Sequence, residues 1–125
     1  MAVRKKGNMV AIVDDDDLMR SALQGLLKSA GLPAKAFASA EEFLGSGHQS
    51  ETACLITDIQ MPGMSGLELQ ATLAEEERRI PIIFITAYGD AKTRTQAMRG
   101  GAIEFLVKPF DDDVLLESVR AALEI

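Results

Sequence analysis

The sequence predicts one doubly wound (βα)5 domain, an α/β fold whose parallel sheet is covered by helices on both faces. Three observations carry this. Five apolar runs alternate strictly with five helix-patterned stretches, and such alternation builds a parallel sheet. Three of the runs, Met9–Val13, Ala53–Ile56 and Ile82–Ile85, are apolar throughout, as strands buried on both faces are. Every run also ends in acidic, turn-forming or capping residues, so each element has a stop signal of its own.

Taken in order, Met9-Val10-Ala11-Ile12-Val13 is the first strand and runs into Asp14-Asp15-Asp16-Asp17. Leu18, Ala22, Leu26, Leu27 and Ala30 then recur at helical spacing, and Gly31 supplies the stop. Pro33 to Ala38 holds a short second strand, Lys35-Ala36-Phe37. Ser39-Ala40-Glu41-Glu42 has capping-box form and opens a short helix finishing near Gly45. Residues 45–52 read as a polar loop carrying the only histidine, His48, expected to be exposed and solvated.

The third strand ends at Asp58. Pro62 cannot continue a ladder and Gly63 tolerates positive φ, so Met61-Pro62-Gly63 is a turn. Ser65-Gly66-Leu67-Glu68 is a second capping box, and its helix is expected to run through Leu69 and Leu73 to about Arg79, where Ile80-Pro81 breaks it. Ile82–Thr86 is the fourth strand. Asp90 caps a helix over 91–99 that is polar nearly all round, with Ala97 and Met98 as its packing residues. A helix of that kind is loosely held and easily displaced. Gly100-Gly101 ends it, Ile103–Val107 forms the last strand, and Lys108-Pro109 closes that strand. Asp111 caps a final helix carrying Leu115, Val119, Ala122 and Leu123.

The totals exclude several classes. At 125 residues, 47% hydrophobic and 26% charged, the chain is one globular domain able to enclose a core without disulfides. A formal charge of −6 argues against nucleic-acid binding by this domain, because phosphate backbones reward clustered Lys and Arg. The single cysteine, Cys54, rules out an internal disulfide, fits a reducing cytoplasm, and lies in an apolar run as a small core residue. No stretch is long and apolar enough to cross a bilayer, and the N-terminus has no signal-peptide apolar region. Residues 1–8, with Arg4-Lys5-Lys6, are expected to be a solvated tail before a domain over 9–125.

Strand order is also legible. The second and fifth strands carry Lys35 and Glu104, as edge strands do, which leaves strands one, three and four in the centre. This matches the flavodoxin-like order 2-1-3-4-5, whose crevice opens between the first and third strands at their carboxyl ends. Asp14, Asp15 and Asp58 then meet there, with Thr86 and Lys108 ending the next two strands. Three ionised carboxylates in one crevice repel one another. A hard divalent cation removes the conflict, and Mg²⁺ suits it best because it accepts a few carboxylates and keeps waters for a phosphoryl ligand. A hydroxyl and an ammonium beside them suit phosphoryl oxygens, the setting a carboxylate nucleophile needs to accept a phosphoryl group. Taken singly, each piece has an ordinary explanation: an acidic helix start, a structural Thr, a Lys-Pro turn. Asp16 and Asp17 are assigned to the helix start. The inference rests on all four features standing at matching strand ends.

The motifs Val13-Asp14-Asp15-Asp16, Thr57-Asp58-Ile59-Gln60-Met61-Pro62-Gly63-Met64-Ser65-Gly66, Ile85-Thr86-Ala87 and Lys108-Pro109-Phe110 resemble those of the receiver domain of bacterial two-component response regulators, over Val10 to Leu123. Ala38-Ser39-Ala40-Glu41-Glu42-Phe43-Leu44 and Ile85-Thr86-Ala87-Tyr88-Gly89-Asp90 resemble the FixJ-type branch, whose members usually carry a LuxR-type helix-turn-helix output domain. The resemblance implies a bacterial, cytoplasmic signalling switch rather than a classical enzyme. Asp58 accepts a phosphoryl group from a partner sensor histidine kinase, and the domain catalyses its own phosphotransfer and autodephosphorylation. Asp14, Asp15, Asp58 and the Gln60 backbone carbonyl hold Mg²⁺, while Thr86 and Lys108 bind phosphoryl oxygens. The Lys108-Pro109 bond is implied to be cis, and Phe105 to be an aromatic switch that turns inward as Thr86 moves. Gln60 and Tyr88 stand where the family varies and are implied to tune hydrolysis.

Phosphorylation adds roughly −1.5 to −2 charge at Asp58 and draws Thr86 and Lys108 toward it. The expected output surface is the face of the fourth helix, fifth strand and last helix, used for homodimerisation. A longer regulator acting on transcription through a DNA-binding domain outside this chain is the expected context. Three rival readings fit the sequence less well. A haloacid-dehalogenase-like phosphohydrolase would carry its nucleophile after strand one as Asp-x-Asp-x-Thr, and the fifth position here is Leu18. A flavodoxin-like cofactor binder would need a Gly or Ser/Thr phosphate cradle in place of the acidic loop. A phosphorylation-independent interaction module would not need the intact site.

Overall fold

The computed structural model describes residues 8–32 and 34–124; the tail with Arg4-Lys5-Lys6 and the start of the second strand at Pro33 lie outside them. The elements are β1 (Met9–Val13), α1 (Asp17–Ser29), β2 (Ala34–Phe37), α2 (Ala40–Gly45), a 3₁₀ turn (Gln49–Glu51), β3 (Thr52–Asp58), α3 (Gly66–Glu75), β4 (Ile82–Thr86), α4 (Ala91–Arg99), β5 (Glu104–Val107) and α5 (Asp112–Leu123). The five strands are parallel in the order β2-β1-β3-β4-β5. The fold is the doubly wound one that the alternation predicted.

Strand side chains alternate between two cores. Ala11, Val13, Leu55 and Phe84 face α2, α3 and α4, with Phe37, Phe43, Leu69, Leu73, Ala97 and Phe105. Val10, Ile12, Cys54, Ile56, Ile83 and Ile85 face α1 and α5, with Leu23, Leu27, Leu115 and Val119. All four buried phenylalanines lie in the first core, Phe37 and Phe43 edge to face at 5.3 Å. The second core is aliphatic but for Cys54.

Four expectations change. The buried face of α1 is Leu23 and Leu27 with Met19, Leu26 and Ala30 at its margin, while Leu18 is 82% exposed and Ala22 is exposed. The apolar stripe is therefore rotated from the one read through Leu18 and Ala22; Leu18 lies in the exposed first turn of the helix. Helix α3 ends at Glu75 rather than near Arg79, and Glu77 takes φ 58° with Arg78 N–H closing on the Leu73 carbonyl. Three consecutive glutamates at the negative end of the helix dipole, and no apolar residue to bury there, stop it before Pro81 does. Of the α4 packing residues only Ala97 is buried; Met98 is exposed. Finally, His48 is half-buried rather than solvated, with Nδ1 3.0 Å from Glu51 and its ring beside Phe37.

Helix starts follow the caps. Asp16 accepts the Leu18 N–H, Ser39 that of Glu42, Asp90 that of Thr93 and Asp111 that of Asp113, and Ser65 with Glu68 forms a complete capping box. Asp17 pairs with Arg20 in the first turn of α1, so the acidic run divides between the site and the helix start.

Candidate functional site

Register alone brings the candidate residues into line. Val13 pairs with Thr57, Asp58 with Ile85 and Thr86 with Val107. Asp14, Asp58, Thr86 and Lys108 therefore stand at neighbouring positions along the carboxyl edge of the sheet, where ligands of open α/β folds bind. Asp14 is fully buried, Asp58 and Thr86 nearly so, and Asp15 is exposed. Each of Asp14, Asp15 and Asp58 offers a carboxylate oxygen within 4.8 Å of the others.

The cluster is tied together by one cation. Lys108 Nζ donates to Asp58 Oδ2 at 3.0 Å and to Asp14 Oδ2 at 3.3 Å. Burial raises the Asp14 carboxyl above its usual range, the neighbouring Asp58 charge adds to the rise, and the Asp16 N–H and Lys108 oppose it. Burial pulls the Lys108 ammonium down, but the Asp58 hydrogen bond and the two carboxylate charges more than offset this and hold it above its ordinary value.

The backbone around Asp58 is equally constrained. Asp58 Oδ1 accepts the N–H groups of Ile59 at 2.6 Å and Gln60 at 3.2 Å. That leaves Oδ2, on the Lys108 side, as the oxygen facing the crevice. Gly66 N–H donates to the Ile59 carbonyl at 2.8 Å. A Cβ on Gly66 would lie 2.2 Å from the Asp58 carbonyl oxygen, so only glycine lets α3 start so close behind the acid.

Thr86 is placed beside this group but its hydroxyl is engaged with the loop. It accepts the Tyr88 N–H at 3.1 Å and lies 3.4 Å from the Tyr88 carbonyl oxygen. Tyr88 is 66% exposed and Gln60 is exposed. The Lys108-Pro109 peptide is cis. Phe105 is already buried, with the Arg94 guanidinium 5.9 Å above its ring, while the Thr86 hydroxyl still points to the loop. Inward Phe105 and loop-bound Thr86 therefore coexist here.

Sequence reading missed several contributors. Arg20 Nη1 donates to the Asp14 carbonyl at 2.7 Å, and its only sequence signal was its spacing from Asp17. In the sequence Gly66 carries only the signal of a capping box, and its close approach to the Asp58 carbonyl has no local pattern. Arg94 over Phe105, and Glu41 on the Met64 N–H at 2.9 Å, join segments that no local pattern connects.

The oxygen donors fit a hard cation. Three carboxylates gather with one ammonium on two of them, the third is exposed to solvent, and no soft or nitrogen ligand lies among the three. This is the donor set Mg²⁺ prefers. Among the described residues, no helix is long and apolar enough to cross a membrane.

Comparison with known proteins agrees with this geometry. The response regulator receiver domain family matches residues 10–120. Nodulation protein W of Bradyrhizobium diazoefficiens is 48% identical over 116 residues, covering 93% of this chain and 51% of that protein. The transcriptional regulatory protein FixJ of Azorhizobium caulinodans is 42% identical over 114 residues, 91% of this chain and 54% of that one. The crystal structure of FixJ-N superposes with a TM-score of 0.86 at 38% identity, covering 96% of each chain. The chain spans about half the length of the curated relatives it matches. On fold, site edge and sequence together, this chain belongs to the response regulator receiver domain family.

Proposed function

We propose that this domain is a phosphorylation-driven signalling switch in which Asp58 accepts a phosphoryl group from the histidine of a partner sensor kinase. The observation that carries the reading is the Lys108 ammonium bridging two buried carboxylates at the carboxyl edge of the sheet. Asp58 Oδ2 attacks phosphorus, the phosphorus–nitrogen bond of the kinase phosphohistidine breaks, and the released imidazole takes up a proton. Ile59 and Gln60 N–H hold Oδ1 and fix the attacking oxygen. Asp14, Asp15, Asp58 and the Gln60 carbonyl are the groups that would hold Mg²⁺. When bound, it neutralises the phosphoryl oxygens and the excess negative charge of the cluster. Lys108 passes from the Asp58 carboxylate to a phosphoryl oxygen without leaving Asp14.

Thr86 links chemistry to shape. Its hydroxyl exchanges the Tyr88 backbone for a phosphoryl oxygen and draws the loop before α4 toward the site. With Phe105 already inward, displacement of that loop and of α4 is the motion that phosphorylation drives. Ile103 just before β5, Val107 on β5, Met98 on α4 and Val114 on α5 are exposed apolar side chains on adjoining segments, a surface for a second copy of the domain. Gln60 and Tyr88, both exposed beside the site, set the access of hydrolytic water. Relatives of about twice this length support a larger transcriptional regulator as the setting.

Incubation with acetyl phosphate and Mg²⁺, followed by mass spectrometry, is expected to find one base-labile phosphoryl group on Asp58. Asp58→Asn is expected to carry none. Modification elsewhere, or no modification of the wild type, would sink the reading.

A further inference from the structure

The loop from Ile59 to Gly66 carries the Gln60 carbonyl and is closed at its base by the Gly66 N–H on the Ile59 carbonyl. Its far end is held from outside by Glu41, 23 residues earlier in the chain. Glu41 stands in the first turn of α2, and its carboxylate Oε2 accepts the Met64 N–H at 2.9 Å. The Met64 N–H, and then its own backbone N–H, hold the Glu41 carboxyl below the usual range, so it is ionised at neutral pH. Gly63, beside Met64, has φ +75°, and a Cβ there would lie 2.6 Å from Glu41 Oε2. The carboxylate therefore occupies the space a side chain at 63 would fill. Ser39, which caps α2 through the Glu42 N–H, leaves Glu41 free for this longer contact.

Resting on the phosphoacceptor reading above, we propose that Glu41 is a positioning residue for the acceptor loop: by holding the Met64 N–H and the Gly63 turn, it fixes the direction of the Gln60 carbonyl beside Asp58. The bond joins α2 to a loop that is otherwise held by its base closure, by the Ile59 and Gln60 N–H groups on Asp58, by the Ser65 N–H on Glu68, and by packing of Ile59, Met61 and Met64 on the core. An amide hydrogen bond to a carboxylate is among the stronger kinds, and losing a group that orients a metal ligand typically lowers metal affinity about 10- to 100-fold.

The test compares the full chain with Glu41→Ala and Glu41→Gln, first free of metal and then titrated with Mg²⁺. In the metal-free protein, amide exchange at Met64 is expected to rise about tenfold in Glu41→Ala while strand amides keep their rates. Mg²⁺ affinity, followed by amide shifts of residues 58–60, is expected to fall about tenfold. Glu41→Gln retains an acceptor oxygen and is expected to restore Met64 protection and most of the affinity. Unchanged Met64 exchange, a rise spread evenly over the whole chain, or unchanged Mg²⁺ affinity in Glu41→Ala would overturn the proposal. Absence of Mg²⁺ binding by the wild type would instead overturn the phosphoacceptor reading, since the exchange comparison is made without metal.

Discussion

Helices α4 and α5 flank the same end of the sheet, yet they are held by different means. Helix α5 buries Leu115, Leu116 and Val119 against β-strand side chains of the aliphatic core. Helix α4 buries only Ala97. Its remaining ties are polar: the Asp90 cap, the Gln70 amide donating to the Ala97 carbonyl at 2.9 Å, and Arg94 over Phe105. Each fully buried Leu or Val contributes about 1.5–3 kcal/mol, against about 1 kcal/mol for a cap or a single hydrogen bond and about 0.5–1 kcal/mol for a cation over a ring. Both helices also connect to the acidic cluster, α4 through the Thr86–Tyr88 loop and α5 through Lys108 at the end of β5. On the proposed reading, a change starting at Asp58 meets one firm helix and one yielding one, and α4 is expected to move before α5.

The sharpest way to break this contrast is truncation. Leu115→Ala is expected to cost about 2–5 kcal/mol in denaturant unfolding, because it leaves a cavity in the aliphatic core. Met98→Ala, removing a side chain of similar size from the exposed face of α4, is expected to stay within about 0.5 kcal/mol. Equal losses would mean that α4 is as firmly packed as α5.

Thiol chemistry reads the same difference in the native state. Cys54 lies in the core beneath α1 and α5, and burial pushes its thiol up from 9.0 to about 12. Labelling of Cys54 at pH 8 then waits for global opening. Ala97→Cys in a Cys54→Ala background places the thiol beneath α4, and its labelling is expected to be about a hundredfold faster. The same shift has a pH signature. The folded chain binds the thiol proton more tightly than the unfolded one, so this contribution to stability is complete below pH 9.0 and lost as pH rises toward 12. Wild-type stability should fall more steeply than that of Cys54→Ala across that window.

A third variant asks whether the two helices feel the cluster equally. Asp14 is a buried carboxylate sharing one lysine with Asp58. Asp14→Asn removes the excess buried charge and keeps a polar side chain beside the Asp16 N–H. It is expected to stabilise the metal-free protein by about 1–3 kcal/mol, an advantage that shrinks as Mg²⁺ saturates the wild type. If amide exchange in α4 slows more than in α5, the cluster acts on α4 by a route other than Thr86.

How much of this the sequence disclosed depends on the distance over which each feature is encoded. Strand identity and order were legible because full burial writes itself into continuous runs such as Ile82–Ile85, and edges into Lys35 and Glu104. The caps at Asp16, Ser39, Ser65, Asp90 and Asp111 were legible because the bond spans two or three residues. The site residues were legible because a parallel sheet aligns strand ends. The phase of α1 was not, since Leu18 and Met19 both fit an apolar stripe and only tertiary packing decides between them. Nor were the tertiary ties of Glu41 to Met64 and Gln70 to Ala97, which join residues 23 and 27 positions apart with no pattern between them. Phe105 entered as a candidate switch only through the family resemblance, and the Arg94 guanidinium over its ring crosses from another element.

That crossing gives the smallest effect and the finest test of the contrast between the helices. Arg94 is exposed, and its guanidinium stands 5.9 Å from the Phe105 ring centroid. A cation over an aromatic face at such a site contributes about 0.5–1 kcal/mol. Arg94→Ala should therefore change global unfolding little. Within α4, where little apolar burial competes, the same energy is a large share of what holds the helix to β5. Amide exchange in α4 is expected to quicken two- to fivefold, about the Boltzmann factor of that energy, with α5 unchanged. Arg94→Lys keeps the charge but loses the flat stacking face, and it should recover only part of the protection. If Arg94→Ala loosens α5 as much as α4, the two helices open as one unit and the difference in their packing is not what selects the moving part.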